Sequence, residues 1–86
     1  MYKIVVHQRA AKYLKRLSKK QQTRIKRALF QLAEDPFKLA GVKPMVGEWD
    51  GYRRMRVGDF RIIFWVDKDE RIIYVDHLGA RGDVYK

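Results

Sequence analysis

Hydrophobic residues recur along the first half of the chain with a helical period. Met1 to Val6 is a short apolar run that predicts a first strand. Two sets of apolar residues at helical spacing follow this strand. The sets are Ala10, Ala11, Tyr13, Leu14 and Leu17, and then Ile25, Ala28, Leu29 and Leu32. The break at Ser18 and the Asp35-Pro36 step, whose proline disfavours helix in the preceding residue, bound two amphipathic helices that form a hairpin.

The second half of the chain follows the shorter period of strands. Residues 36–48 contain two prolines and two glycines without a clear period, which predicts a loop or a short irregular strand. Strands are expected at about 49–57, 60–67 and 71–78, with tight turns at residues 57–59 and 67–70. The sequence therefore predicts one α+β domain over residues 1–86: a first strand, a helical hairpin and a three-stranded antiparallel meander, with the helices packed on one face of the sheet.

The strand predicted at 60–67 carries apolar residues on both of its faces. One face holds Phe60, Ile62 and Phe64, and the other holds Ile63 and Trp65, with Arg61 as the exception. This pattern is typical of a central strand that helices cover on one face and that is partly buried on the other. We interpret Trp49 and Trp65 as core or sheet-face packing rather than as platforms for stacking bases.

Basic residues are concentrated in the first third of the chain. Residues 1–33 contain ten lysines and arginines and no acid, whereas residues 34–86 hold ten bases and ten acids. The net charge of +10 therefore comes from the strand and helices at the start. Such a field favours a polyanionic partner and predicts fast, salt-dependent association with nucleic acid. An acidic protein or an anionic membrane surface would respond to the same field, and solubility alone is the plainer explanation.

The composition excludes several kinds of chemistry. The chain has no cysteine, which excludes disulfides, thiolate zinc sites and cysteine nucleophiles. Asp67, Asp76 and Asp83 are scattered and form no metal-ligand cluster, so neither a metal nor another cofactor is expected. The first residues lack the apolar core of a signal peptide, and no run approaches the roughly 20 apolar residues of a membrane span. A cytoplasmic protein without a membrane partner is therefore expected.

Four arginines lie on the hairpin predicted for residues 52–65, whose sequence is YRRMRVGDFRIIFW. Because side chains alternate between the two faces of a strand, Tyr52, Arg54 and Arg56 share one face. That face of the hairpin is cationic along its length. Arg53, on the other face, is expected to lie over the helices or to pair with a nearby acid.

Five short motifs follow one another along nearly the whole chain. They are the apolar first strand, A-x-x-L-x-x-L at Ala11, Leu14 and Leu17, L-x-x-x-P from Leu32 to Pro36, R-V-G-D-[YF]-R from Arg56 to Arg61, and a final G-x-R followed by a tyrosine. Each motif is weak by itself, but their order and spacing are specific. Together they resemble the RelE/ParE superfamily of bacterial and archaeal toxins.

The resemblance implies a toxin that a cognate antitoxin protein restrains. RelE-like members cut mRNA in the ribosomal A site without a metal, through attack of a ribose 2′-hydroxyl on the adjacent phosphate. ParE-like members instead poison DNA gyrase. We expect the first activity, with ribosomal RNA and A-site mRNA as partners. The alternatives are a ParE-type gyrase inhibitor and an inactive, basic RNA-binding module.

The resemblance also implies catalytic residues. Arg54, Arg61 and Arg81 fall where RelE-like toxins carry catalytic cations, and Tyr85 falls at their catalytic tyrosine. Guanidinium suits the stabilisation of a phosphorane, because its planar fork gives two hydrogen bonds to a phosphate and keeps its charge. An ordinary tyrosine, with a pKa of about 10, is a poor base near neutral pH unless cations stabilise its phenolate. The resemblance therefore implies that Tyr85 acts either as a base or by stacking on a nucleobase.

Three further residues are predicted to contact RNA. Tyr52 stands where RelE itself has a lysine, so one cation is missing, and Arg56 is expected to supply that charge. His77 is a candidate for proton transfer, because histidine titrates near neutral pH, although a partly buried strand histidine is the simpler interpretation. His7, just before the first helix, is expected to cap that helix or to lie on the surface.

Overall fold

The computed structural model describes residues 1–80 of the 86-residue chain, and these residues fold into two helices packed on a sheet. The elements are β1 at Lys3–Val6, α1 at Gln8–Lys15, α2 at Lys19–Glu34, β2 at Val42–Pro44, β3 at Arg53–Val57, β4 at Phe60–Asp67 and β5 at Ile72–Ala80. The α+β class, the helical hairpin and the final meander are confirmed.

Both helices begin at side chains that accept a backbone hydrogen bond. The Nδ1 atom of His7 accepts from the backbone N–H of Arg9 at 3.1 Å, so His7 caps α1. Ser18 forms a capping box with Gln21, in which each side chain accepts from the other residue's backbone N–H at 3.2 Å. An N-cap of this kind stabilises a helix by about 1 kcal/mol. The break that the sequence places at Ser18 is therefore the start of α2.

The strands form one five-stranded mixed sheet in the order β1-β5-β4-β3-β2. β3, β4 and β5 are antiparallel neighbours, and a two-residue turn at Gly58-Asp59 joins the first two. β1 pairs parallel to β5, and β2 pairs antiparallel to β3. Parallel neighbours need a long connection, which here comprises both helices and the other three strands.

The two α-helices cover one face of this sheet and leave the other face, which we call the open face, without an α-helix in the described part of the chain. The helix-side core joins Ile25 and Leu32 of α2 to strand residues Met55, Ile62, Phe64, Ile73 and Val75. On the open face, Ile63 is fully buried in a smaller cluster with Met45, Trp49 and Tyr52. β4 is thus buried on both faces, as its apolar pattern predicts.

A β-bulge at Asp76 changes the alternation of side chains along β5. Ile63 pairs with His77, whereas Phe64 pairs with Val75, so Asp76 is the extra residue. Tyr74 and His77 are three positions apart, and the bulge places both on the open face. In an unbroken strand, one of the two would point at the helix-side core.

Several boundaries differ from the predictions. The strand expected from residue 49 begins at Arg53, because Gly47–Trp49 form a short 3₁₀ helix. The last strand continues to Ala80 rather than ending at 78. The stretch 36–48 contains only the three residues of β2, which matches a short irregular strand. Within residues 1–80, neither helix has the length and apolar character needed to cross a membrane.

Candidate functional site

Three arginines lie on the open face of the β3–β4 hairpin. Arg54 pairs with Ile63, and Arg56 pairs with Arg61. Directly opposed residues share a face of the sheet, and Ile63 belongs to the open-face cluster. Met55, between the two arginines of β3, packs into the helix-side core instead. The cationic face predicted from the alternation is therefore present.

Lys43 of β2 adds a fourth cation that the sequence analysis missed. It pairs with Arg54 across the antiparallel β2–β3 ladder and so lies on the same face. Residues 36–48 have no clear period, and no pattern in the sequence assigned Lys43 to a face. Lys43 therefore adds a positive charge to the face that carries Arg54 and Arg56.

The four cations border one open groove with a volume of about 230 Å³. The described residues that line it are Gly41, Lys43, Arg54, Met55, Arg56 and Arg61, and none of these is an acid. Arg61 is 8% exposed, whereas Arg56 directly opposite is exposed. Guanidinium and ammonium groups bind phosphate oxygens through charge-assisted hydrogen bonds. The groove is therefore suited to a phosphate group.

Tyr52 packs on the open-face cluster and does not line the groove. Its ring meets Trp49 edge-on, with 5.1 Å between the centroids, and both residues pack against Met45 and Ile63. Trp49 is sheet-face packing, in line with the prediction for it. Tyr52 lies on the face of Arg54, where the alternation places it, but among apolar neighbours.

His77 lies on the open face in a polar network with Asp76 and Arg9. Its Nδ1 atom is 2.8 Å from Oδ2 of Asp76, and its Nε2 atom is 3.4 Å from Nη1 of Arg9. Nη2 of Arg9 is also 3.8 Å from Oδ1 of Asp76, and Trp49 meets the imidazole edge-on at 4.9 Å. Both imidazole nitrogens have partners, so proton transfer by His77 would require Arg9 to move away first.

The remaining predicted residues lie away from the groove or outside the described region. The guanidinium carbon of Arg53 lies 4.9 Å from the ring centroid of Phe37, so Arg53 makes a cation–π contact on the helix side of the sheet. Arg81 and Tyr85 are outside the described residues, and their roles stay predictions.

Comparison with known protein families identifies the class of this protein. A family model described as "ParE toxin of type II toxin-antitoxin system, parDE" matches residues 4–85. The chain belongs to this family, and thereby to the RelE/ParE superfamily that its motifs resemble. It is a toxin of a type II toxin-antitoxin system. A comparison with curated proteins found no match.

Solved structures of RelE-type toxins have the same fold. The archaeal RelE–RelB complex from Pyrococcus horikoshii is 27% identical over 96% of this chain and 98% of that chain, with a TM-score of 0.81. The toxin-antitoxin complex RelBE2 from Mycobacterium tuberculosis gives a TM-score of 0.82 at 21% identity, over 93% and 98%. YafQ from E. coli gives 0.74 at 18% identity, over 94% of each chain. The chain thus has a RelE-like fold throughout.

Proposed function

We propose that this toxin is a ribosome-dependent endoribonuclease that cleaves mRNA in the A site. The observation that carries the proposal is the groove on the open face, in which four cations from three strands converge without an acid among the described lining residues. A reaction at phosphate develops negative charge on the phosphorane oxygens, and fixed guanidinium groups stabilise that charge.

The chemistry that fits this groove is internal transfer of the phosphodiester. The ribose 2′-oxygen loses its proton and forms a bond to phosphorus, while the bond from phosphorus to the 5′-oxygen breaks and that oxygen gains a proton. The products are a 2′,3′-cyclic phosphate and a 5′-hydroxyl. In this proposal Arg54 and Arg61 bind the phosphate oxygens, and Lys43 and Arg56, which line the same groove, add positive charge beside them.

The proton transfers are assigned from the family resemblance and the geometry of His77. Tyr85 is proposed as the base or as the group that stacks on and orients the substrate, and Arg81 as a third catalytic arginine. His77 is proposed to contact RNA rather than to transfer a proton, because both of its ring nitrogens already have partners in the polar network. Tyr85→Phe separates the two roles of Tyr85, since phenylalanine stacks equally well but cannot exchange a proton.

We also infer a cognate antitoxin as the partner that restrains the toxin. The structures from P. horikoshii and M. tuberculosis are both toxin-antitoxin complexes. The first 33 residues of this chain carry ten bases and no acid, so an acidic segment of an antitoxin would be attracted to them. An antitoxin that extends from the helices around to the open face would inhibit by covering the groove or by moving its cations.

Primer extension on a defined mRNA in programmed 70S ribosomes tests the proposed activity. Wild-type protein is expected to cut at the A-site codon, and the same mRNA without ribosomes is expected to stay intact. Arg54→Ala should slow cleavage by roughly 10- to 1,000-fold, about 1.4–4 kcal/mol of transition-state stabilisation. The same range is expected for Arg61→Ala and Arg81→Ala, with circular dichroism to check the fold because Arg61 is buried.

Arg53→Ala is the matched control for Arg54→Ala. It removes the neighbouring guanidinium from the same strand, but on the helix side of the sheet. Cleavage by Arg53→Ala should stay within about threefold of wild type, since its guanidinium does not reach the groove. Equal losses in both variants would show that total charge, rather than the groove, determines the activity.

Inhibition of DNA gyrase is the second candidate function, because the family model that matches the chain is that of ParE toxins. A supercoiling assay with purified gyrase distinguishes the two activities. Intact mRNA on ribosomes together with loss of supercoiling would replace the nuclease proposal. Intact mRNA together with unaffected gyrase would exclude both activities and leave an inactive RNA-binding module as the remaining function.

A further inference from the structure

The open face carries a stacked aromatic pair outside the groove. Trp65 and Tyr74 are direct partners on β4 and β5, with ring centroids 4.5 Å apart and ring planes at 16°. Val5 pairs with Tyr74 from the other side, so Val5, Tyr74 and Trp65 form a row across three strands. Trp65 lies four residues beyond Arg61 on the same strand, and the row therefore shares the face of the groove.

Two of the three residues in this row are exposed although their side chains are apolar or aromatic, and Tyr74 between them is half-buried. Val5 and Trp65 retain 39% and 36% of their accessible surface. Beside the aromatic pair is a cleft of about 170 Å³, which is also lined by His7 and Asp76. Ring faces bordered by polar side chains suit a flat aromatic ligand whose edge forms hydrogen bonds.

We propose that Trp65 and Tyr74 form a stacking site for a nucleobase of the single-stranded RNA whose phosphates bind in the groove. This replaces the interpretation of Trp65 from the sequence as packing alone, because Trp65 is exposed. This inference rests on the proposed nuclease function, which supplies the RNA. Four residues of strand separate Arg61 from Trp65 by about 13 Å, at roughly 3.3 Å per residue. One extended RNA strand spans that separation. A base parallel to the two rings continues their stack, and such stacking is tolerant of sequence.

Cations in the groove and exposed rings beside it together favour RNA as the occupant of this row. The chain has a net charge of +10, and the neighbouring groove on the same face is lined by four cations. A nucleic acid satisfies both surfaces at once, with its phosphates in the groove and its bases on the rings. An antitoxin segment seated on Trp65 is the competing outcome, and the experiment separates it from RNA.

Fluorescence anisotropy with a labelled 2′-O-methyl RNA oligonucleotide tests the stacking site. The 2′-O-methyl group removes the attacking hydroxyl, so the probe is bound without being cut. Trp65→Ala should weaken binding by about 5- to 150-fold, the range for loss of one base–aromatic stack. Trp65→Leu keeps an apolar side chain in the sheet and should weaken binding similarly, whereas Trp65→Phe should restore most of the affinity.

Two controls separate stacking from charge and from folding. Phe30 is 69% exposed on α2, and Phe30→Ala should bind the probe as wild type does, since this helix packs on the other side of the sheet. An abasic oligonucleotide of the same length keeps the phosphates and lacks the bases. Wild type and Trp65→Ala should bind it equally.

Three results would overturn the inference. In the first, Trp65→Ala binds the base-containing probe as tightly as wild type does. In the second, Trp65→Ala weakens binding of the abasic probe as much as binding of the base-containing probe. In the third, wild type does not bind the base-containing probe even at low salt. Loss of affinity for the antitoxin alone would assign the row to the protein partner instead. The ribosome assay tests the proposed function separately. If the protein cleaves mRNA but RNA binding does not depend on Trp65, only the stacking site is refuted. If RNA binding depends on Trp65 but mRNA is not cleaved, only the nuclease proposal is refuted.

Discussion

Gly58 illustrates at the scale of a single residue how the β3–β4 hairpin depends on its turn. Its φ of +60° is in the left-handed region, which a two-residue hairpin turn requires at its first position. A Cβ at this position would also lie 2.6 Å from Nη2 of Arg24, on α2. The absence of a side chain at Gly58 therefore serves both the backbone conformation and the close approach of Arg24.

Gly58→Ala should destabilise the protein by about 1–3 kcal/mol through backbone strain, and the guanidinium at the end of the flexible Arg24 side chain would have to move aside. Urea unfolding followed by circular dichroism measures the difference. Gly47→Ala is the matched control, because Gly47 has a φ of +73° and no atom within 4 Å of the added Cβ. If the two variants lose equal stability, the contact with Arg24 makes no contribution.

Single residues also show where sequence reasoning about the site succeeds and where it fails. Alternation alone separates Arg53 from Arg54, because both lie in a strand whose apolar partners fix its faces. Lys43 lies in a three-residue strand flanked by irregular chain, so its face depends on pairing with β3. Local pattern predicts a face only where the strand is long enough to show a period.

At the scale of elements, the helices were predictable and part of the sheet was not. Apolar spacing, Ser18 and the Asp35-Pro36 step define both helices from local sequence, because each signal acts within a few residues. The parallel pairing of β1 with β5 and the bulge at Asp76 arise between segments distant in the chain. The bulge determines that Tyr74 and His77 share the open face, and that position could not be predicted from alternation.

The end of α2 gives stability a defined dependence on pH. Oδ1 of Asp35 accepts hydrogen bonds from the backbone N–H groups of Lys38 at 3.0 Å and Phe37 at 3.1 Å. These bonds hold the pKa of the Asp35 carboxyl below its ordinary value of 3.8. Because the folded state then binds fewer protons than the unfolded state, this contribution is present above the unfolded pKa and is lost as the pH falls through the folded pKa.

Asp35→Asn tests this dependence. The variant should be less stable than wild type at pH 7. The difference should shrink as the pH is lowered through the unfolded pKa of about 3.9 and then through the lower folded pKa of the wild-type carboxyl. Urea unfolding across this pH range measures both proteins. Glu34→Gln is the control, since the Glu34 side chain accepts no hydrogen bond within residues 1–80, and it should show no such trend. A difference for Asp35→Asn that is constant with pH would contradict the assignment.

At the scale of the whole molecule, the placement of charge opposes the stability of α2. The positive end of a helix dipole favours acids in the first turn, but α2 has none and begins with Lys19 and Lys20. The first 33 residues thus keep a strong positive field at a cost to the helix that carries it. Helix stability alone would favour the opposite charge, whereas the proposed binding of a polyanion would favour the charge that is present.

Lys19→Glu should therefore separate stability from binding. We expect the free energy of unfolding to rise by about 0.3–1 kcal/mol, since an acid replaces a cation at the positive end of the dipole. Affinity for 70S ribosomes should fall, and the slope of log affinity against log salt should become shallower by about 0.9 for each phosphate that the variant no longer neutralises.

Lys38→Glu makes the same charge change in the balanced part of the chain and should leave that slope unaltered. Equal effects of the two substitutions would mean that net charge governs ribosome binding, whereas an unchanged slope for Lys19→Glu would show that the start of α2 does not bind the ribosome.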